Sequence, residues 1–309
     1  MRKETKWILE NEVNYEYIFN KEKNKKLDYI VKEILENRNL SLEDDFSFDP
    51  FDLKDIDIAY ERIMKAIEKN EKIYIYGDYD VDGITSVSLL YLSLSELGAN
   101  VNYYIPLRDE GYGLNKEAIQ TLKNDGANLV ISVDCGINSV EEIDLANELE
   151  LDFIITDHHE ITGNLPKAMA VINPKRNENI YSFKYLAGVG TAFMLVYAIY
   201  KKQNKMNDLN KYLDIVAIGT VADIVPLVSD NRKFVRRGLK VLKNTRWIGI
   251  KQLIRKIFPD DWDSREYFAY DIGYIIAPIF NAAGRLEDAK QAVSLFVEED
   301  GFKCLQIID

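Results

Sequence analysis

Asp78, Asp80 and Asp82 alternate in the segment Asp78-Tyr79-Asp80-Val81-Asp82-Gly83, and the chain's only two histidines stand together in Asp157-His158-His159. Carboxylate oxygens and imidazole nitrogens are donors for a divalent cation, and without a thiolate among them they suit Mn²⁺ or Mg²⁺. An EF-hand calcium loop is excluded. Counting Asp78 as the first position, the twelfth is Leu89, where a bidentate glutamate is needed, and the loop follows a strand-like run instead of a helix. A solvated acidic turn and a histidine pair making local hydrogen bonds are the ordinary alternatives for each motif alone.

Two more carboxylates belong with them. Asp134 opens Asp134-Cys135-Gly136 at the end of a β-branched run, where an aspartate can also serve simply to cap the next helix. Asp223 is the lone charge in Gly219-Thr220-Val221-Ala222-Asp223-Ile224-Val225-Pro226-Leu227. A carboxylate in so apolar a run is expensive to bury unless it is paired or metal-bound, although a structural aspartate at a helix end fits equally.

The elements that must position these groups alternate along the chain. Strands are predicted at 72–76, 101–105, 129–133 and 153–156, each a β-branched or aromatic run. Helices are predicted at 56–69, with Ile58, Ile63 and Ile67 apolar, over the segment marked by Ile84, Val87, Leu90, Tyr91, Leu94 and Leu97, and at 140–149. That alternation implies an α/β fold, a parallel sheet with helices on both faces. Ligands of such sheets lie outside the carboxyl ends of the strands, which is where Asp78/Asp80/Asp82, Asp134 and Asp157/His158/His159 fall. Beyond Tyr185 the chain is expected to be mainly helical, at 188–203, 209–219, 232–244 and 249–258. The expected organisation is an N-terminal extension at 1–45, a catalytic domain at 46–230, and a helical region at 231–309 that starts an interdomain linker toward a truncated or absent second domain. The extension carries a basic run at Lys21–Lys26 and a short amphipathic helix from Asp28 to Leu35.

Bulk properties narrow the classes. Hydrophobic residues make up 47% and charged residues 29%, a soluble globular balance, and no run of eighteen apolar residues suggests a membrane span. The charged N-terminus lacks an apolar stretch fit for a secretory signal, so a cytoplasmic location is expected. A net charge of −12 argues against non-specific coating of nucleic acid, though not against holding it locally where bound metals offset the acids. Cys135 and Cys304 are too few for a disulfide framework or a thiolate zinc site, and Cys135 reads as a small buried hydrophobe.

Taken as an ordered set, the motifs resemble the DHH phosphoesterase superfamily, and within it the RecJ single-strand-specific exonucleases. The resemblance runs from about Phe48 to Ala289. It is carried by Tyr76 to Ser86, Ser132 to Gly136, Thr156 to Glu160, Gly219 to Leu227, Asn281-Ala282-Ala283-Gly284-Arg285, and Pro106 to Gly113, the segment implied to hold a DNA 5′ end. It implies two Mn²⁺ or Mg²⁺ ions, with Asp80 and Asp78 serving the first, Asp134 bridging, and Asp82, His158 and Asp223 serving the second. His159 would face the scissile phosphate and Asp157 would orient an imidazole from behind. Other branches carry a histidine near the start of the first motif, where this chain has Tyr76. The implied activity is metal-dependent 5′→3′ hydrolysis of single-stranded DNA to 5′-mononucleotides, in repair and recombination, with Asp134, His159 and Asp82 at the chemistry. A helicase or single-strand-binding protein is the implied partner. A phosphoesterase on short oligoribonucleotides or nucleotides, and an inactive replication scaffold of the same fold, are the alternatives.

Arg108 and Arg285 are the candidate phosphate contacts, since a guanidinium forks onto phosphate oxygens, with surface salt bridges the alternative. Gly188-Val189-Gly190-Thr191 opens a helix and could cradle an anion, but reads better as tight packing. Arg232, Arg236, Lys240 and Lys243 fall on one helical face, either tracking a nucleic-acid backbone or simply solvated. Relatives of this kind usually continue into a linking helix, a DHH-associated domain and an OB-fold, which this sequence does not include.

Overall fold

Short β-branched runs that are buried on both sides make parallel strands, and four such runs are legible in the sequence. The computed structural model describes residue 46 and residues 48–308 apart from 108–110, 112 and 286–288, together with 31, 32, 34, 35, 37 and 38; of residues 283–285 it describes the backbone alone. The strands are β1 (Lys72–Tyr76), β2 (Asn100–Tyr104), β3 (Leu129–Val133), β4 (Asp152–Thr156) and β5 (Ala170–Ile172). All pair in parallel in the order β2-β1-β3-β4-β5. The order reverses at β1/β3, the topological switch point where open α/β sheets form their ligand crevice.

Side-chain alternation sorts the core into two layers. Ile73, Ile75, Leu129, Ile131 and Ile154 face a layer built from α1 (Ile56–Glu68), α2 (Val81–Glu96) and α5 (Gly188–Lys202). Val130, Phe153 and Ile155 face the opposite layer, α3 (Lys116–Asn124) and α4 (Val140–Glu148). Both faces are therefore covered, as expected of a parallel sheet. Every residue from Val81 to Leu90 is buried, because α2 is wrapped by the sheet and by α5 and α6 (Leu213–Ala222). Leu89, the residue that excluded a calcium loop, is part of that core.

Several expectations shift. The buried face of α1 is Ile56, Ala59, Ile63 and Ala66, while Ile58 is 41% exposed. The strand β5 and the helix α3 are additional elements. The helix expected at 209–219 divides into a 3₁₀ segment, Met206–Tyr212, followed by α6. Among the described residues the longer remaining helices are α7 (Ser229–Leu242), α8 (Ile248–Ile257), α9 (Ala277–Arg285), α10 (Ala289–Val297) and α11 (Gly301–Ile308); a short helical turn at Ala269–Asp271 and a π-helical turn at Ile272–Ile276 lead into α9. Residues 45–309 form one unit and 1–44 another. In the latter Val31, Lys32, Ile34, Leu35 and Asn37 are helical, and the Lys21–Lys26 run lies outside the described residues. No helix among the described residues is long and apolar enough to cross a membrane.

Asp214, at the start of α6, is fully buried yet ionisable. Its carboxylate accepts from the Thr245 hydroxyl at 2.7 Å, the Trp247 indole N–H at 3.0 Å and the Ile215 amide at 2.8 Å, tying α6 to the α7–α8 loop. Burial outweighs those donors and pushes its pKa up to about 6. A carboxyl raised in the folded state stabilises fully below the unfolded value and loses that contribution as pH rises through about 6. The cost amounts to about 3 kcal/mol at pH 7.5. Asp214→Asn is expected to flatten this pH dependence in urea unfolding between pH 4 and 7.5, and to be at least as stable as the wild type at pH 7.5. A large loss at pH 7.5 would instead show that the three donors hold an anion.

Candidate metal centre

The carboxyl ends of β1, β3 and β4 deliver the expected groups to one place. Asp80 caps α2, accepting from the Gly83 amide at 2.9 Å, and this sets Asp82 inside the first turn. Asp134 follows β3 and is 1% exposed. Its φ of 58° is left-handed, a conformation an aspartate adopts at some cost and one that recurs at functional sites. His158 and His159 follow β4, and Asp223 caps the carboxyl end of α6. Directly after Asp223, the β-branched Ile224 has φ 60° and is 88% exposed, a second strained position at the site.

Donor atoms converge in two overlapping groups, Asp82–His158–Asp223 and Asp134–His158–His159, each within 4.8 Å. His158 Nε2 lies 3.1 Å from Asp134 Oδ1 and 3.9 Å from Asp82 Oδ2, and Nδ1 lies 3.7 Å from Asp223 Oδ2. At 3.1 Å the Asp134 contact is close enough for a hydrogen bond but fails its geometry. Asp134 Oδ1 and Asp223 Oδ2 are both buried oxygens that accept no hydrogen bond from the described residues. Buried acceptors are normally satisfied, so two orphaned carboxylate oxygens beside an imidazole fit a shared cation.

Electrostatics agree. Burial first, then the neighbouring aspartates, raise the carboxyls of Asp82 and Asp134 well above the usual range, and burial with Asp80 brings Asp223 to about 6. Burial and the adjacent His159 lower His158 to about 4, so it is a neutral imidazole at physiological pH, the form that binds metal. Without a cation the cluster can relieve its charge only by holding protons.

His159 is held differently. Asp157 Oδ1 accepts the backbone amides of His158 at 2.6 Å and His159 at 3.0 Å and contacts His159 Nδ1 at 2.8 Å, while Oδ2 accepts from the Ile137 amide at 2.9 Å. One buried carboxylate thus orders the whole turn. Its hydrogen bond raises the pKa of His159, whose side chain is 41% exposed.

The glycine-rich start of α5 corrects the packing interpretation. Its backbone amides at Gly188 and Val189 donate to the two Asp82 oxygens at 2.6 and 2.8 Å, so the helix N-terminus does receive an anion, and the anion is a site carboxylate. Packing also holds: a Cβ on Gly188 would stand 2.5 Å from Asp134 Oδ1, and one on Gly219 would stand 2.2 Å from Thr85 Oγ1 and 3.1 Å from Asp82 Oδ1. Gly188→Ala is expected to weaken Mn²⁺ binding about ten- to hundredfold in calorimetric titration, as disturbed support of a ligand does. Gly190→Ala, whose Cβ would find Leu186 at 3.5 Å, should leave Mn²⁺ binding unchanged.

Asp78 and Asp80 stand outside both converging groups. Asp78 is fully buried, with Oδ1 taking the Tyr79 amide at 2.8 Å, while the charge of Asp80 is felt by Asp82, Asp134 and Asp223. The Tyr76 hydroxyl donates to the Gly113 carbonyl at 3.0 Å and accepts from the Asn115 amide at 3.3 Å. Cys135 is buried, which pushes its thiol pKa up. Arg108 and the side chain of Arg285 lie outside the described residues. Of the basic stripe, Arg232 has a buried Nε, Arg236 is half-buried, Lys240 is exposed, and just beyond α7 Lys243 reaches the Ser264 carbonyl, so the stripe is partly engaged in packing; beside it Arg237 donates to Asn210 and stacks on Phe46.

The stretch that carries this switch point and most of this carboxylate–histidine cluster, residues 72–220, matches the model of the DHH family, N-terminal domain. The chain is similar to the single-stranded-DNA-specific exonuclease RecJ of Bacillus subtilis (strain 168), at 44% identity over 262 residues, 84% of this chain and 32% of the relative. It is 36% identical to the RecJ of Escherichia coli (strain K12) over 258 residues, 79% of this chain and 44% of that protein. A crystal structure of exonuclease RecJ bound to manganese superposes with a TM-score of 0.77 at 30% identity, covering 84% of this chain and 65% of that one. RecJ of Thermus thermophilus in complex with Mn²⁺ superposes with a TM-score of 0.72 at 29% identity, over 83% of this chain and 36% of that one. The chain thus spans under half the length of these curated relatives.

Proposed function

We propose that this chain is the catalytic part of a Mn²⁺- or Mg²⁺-dependent exonuclease that hydrolyses single-stranded DNA from the 5′ end to 5′-mononucleotides. The observation that carries it is the convergence of Asp82, Asp134, His158 and Asp223 around orphaned, buried carboxylate oxygens. Asp82, His158 and Asp223 would hold one ion, Asp80 with Asp78 the other, and Asp134 would be shared. Two such ions, when bound, supply positive charge against the phosphate and lower the pKa of water.

The chain's own residues do the rest. The amides of Gly188 and Val189 fix Asp82, and Asp157 fixes the ring of His159 through Nδ1. With Nδ1–H directed at Asp157, Nε2 would be the atom that meets a phosphate oxygen, and the raised pKa of His159 favours a proton there. Residues 46–230 make up the catalytic domain in this proposal, with 231–309 a helical region toward a linker. Arg108 and Arg285 would grip phosphates. The cell interior is where such a substrate is found, and a helicase or single-strand-binding protein would supply or shield the strand.

The test is hydrolysis of 5′-labelled and 3′-labelled single strands with Mn²⁺, beside dinucleotides. Mononucleotide release from the 5′ end is expected. Cleavage of dinucleotides alone would favour a small-substrate phosphoesterase.

A further inference from the structure

Next to His159 the chain makes a second turn, from Asn173 to Asn179, tied to the His159 backbone. Asn173 is fully buried, donates from Nδ2 to the His159 carbonyl at 3.0 Å and accepts the Lys175 amide at 2.8 Å. Asn179 Nδ2 in turn donates to the Asn173 carbonyl at 2.8 Å. The backbone of Lys175 is therefore pinned to that of His159. A cleft of about 320 Å³ opens there, with Glu160 and Ile161 on one side and Lys175, Arg176 and Glu178 on the other.

The two cations at this cleft are not equivalent. Arg176 is buried, and its guanidinium is committed to Asp55, the Val171 carbonyl and Glu178. Lys175 is held at 2.9 Å by Glu160, whose side chain is 77% exposed. Lys175 itself is only 22% exposed, but solvent screens so exposed a carboxylate, so the pair is easily exchanged. The Lys175 charge already reaches the metal centre, acting on His158, His159 and Asp223.

We propose that Lys175 is a substrate-binding residue that leaves Glu160 to grip the backbone phosphate next to the scissile one, on the cleft side of His159. Glu160 acts as a placeholder for that phosphate in the substrate-free enzyme. The proposal rests on the phosphodiesterase reading above. A lysine suits this role because a flexible point charge can follow a strand that advances by one nucleotide per turnover.

The test is steady-state hydrolysis of 5′-phosphorylated oligodeoxythymidylate under Mn²⁺ at several NaCl concentrations. Lys175→Met is expected to raise KM about ten- to hundredfold, the loss of one charge-assisted phosphate contact, with kcat changed less than about threefold. The salt dependence of log KM should fall by about 0.7, one phosphate contact fewer on a single strand. Lys175→Arg should restore most of KM, Glu160→Gln should lower KM below the wild-type value, and calorimetric Mn²⁺ affinity should not fall in Lys175→Met. An unaltered KM and salt slope in Lys175→Met, beside an active wild type, overturns the assignment of Lys175 and leaves the phosphodiesterase standing. A wild type that does not hydrolyse the strand overturns both.

Discussion

Asp134→Asn is expected to abolish Mn²⁺-dependent hydrolysis while making the metal-free protein more stable. Asp134 is buried at 1% exposure, in a left-handed conformation, with Oδ1 accepting no hydrogen bond from the described residues. Burial and then the charges of Asp82, Asp80, Asp157 and Asp223 raise its pKa well above the ordinary value. The sign follows from linkage. A carboxyl raised in the folded state contributes stability at low pH and loses it as pH rises through the folded pKa, so near neutrality the metal-free fold carries the cost of ionising this cluster. An asparagine has no charge to repel its neighbours, and it adopts the left-handed conformation of this position readily. Removing a strained, uncompensated buried charge is worth on the order of 1–3 kcal/mol, several degrees in Tm. The same change removes the ligand expected to be shared by two ions, and activity should fall by roughly a thousandfold or more. Thermal unfolding of both proteins in EDTA and in Mn²⁺ checks this. The variant should unfold above the wild type in EDTA and gain little from Mn²⁺. A variant less stable in EDTA, or one keeping the full Mn²⁺ shift, would show that Asp134 is a structural residue.

What the sequence disclosed and what it hid follow one physical division. Strands β1, β3 and β4 are buried on both faces, so they announce themselves as unbroken apolar or β-branched runs, and the residues after them announce the site. Strand β5 has three residues, too short for any periodicity to register, and its edge is secured from afar by Asp55, which accepts the Val171 amide at 3.2 Å and pairs with Arg176. Helix α3 hides because it is polar on its outer side; its signals are the Asn115 cap, 2.7 Å from the Ala118 amide, and the triplet Ala118, Ile119 and Leu122. At the site, Asp157, His158 and His159 are consecutive, so their mutual support is local and legible. The support of Asp82 is not, because its amide donors are more than a hundred positions away. Helix N-termini bind anions generically, and nothing in a Gly-Val-Gly-Thr segment says whose carboxylate arrives. Lys175 is hidden for the same reason, since only the fold places it beside His159.

The two histidines are expected to fail in different ways. His158 belongs to both converging groups, is buried, and is neutral at physiological pH with a pKa of about 4. His159 can reach Asp134 and His158 as a further donor, but its Nδ1 is engaged by Asp157 and its ring is the more exposed of the two. If His158 holds an ion and His159 addresses the phosphate, His158→Ala should lose both turnover and the Mn²⁺-induced rise in Tm. His159→Ala should keep that rise and its calorimetric Mn²⁺ affinity while kcat falls by about a hundredfold or more, the scale of a lost proton donor or charge stabiliser. Its pH profile should also change. A histidine whose pKa is raised above 6.5 gives a wild-type profile that declines on the alkaline side as Nε2 loses its proton, and His159→Ala should lack that decline. A shared loss of Mn²⁺ affinity in both variants would make His159 a ligand and place the phosphate contact elsewhere. Asp157→Asn sharpens the distinction. With its oxygen in the Oδ1 position it keeps the hydrogen bonds from the His158 and His159 amides, loses the one from the Ile137 amide and removes the negative charge beside His159, so the alkaline limb should move to lower pH while Mn²⁺ affinity stays near that of the wild type.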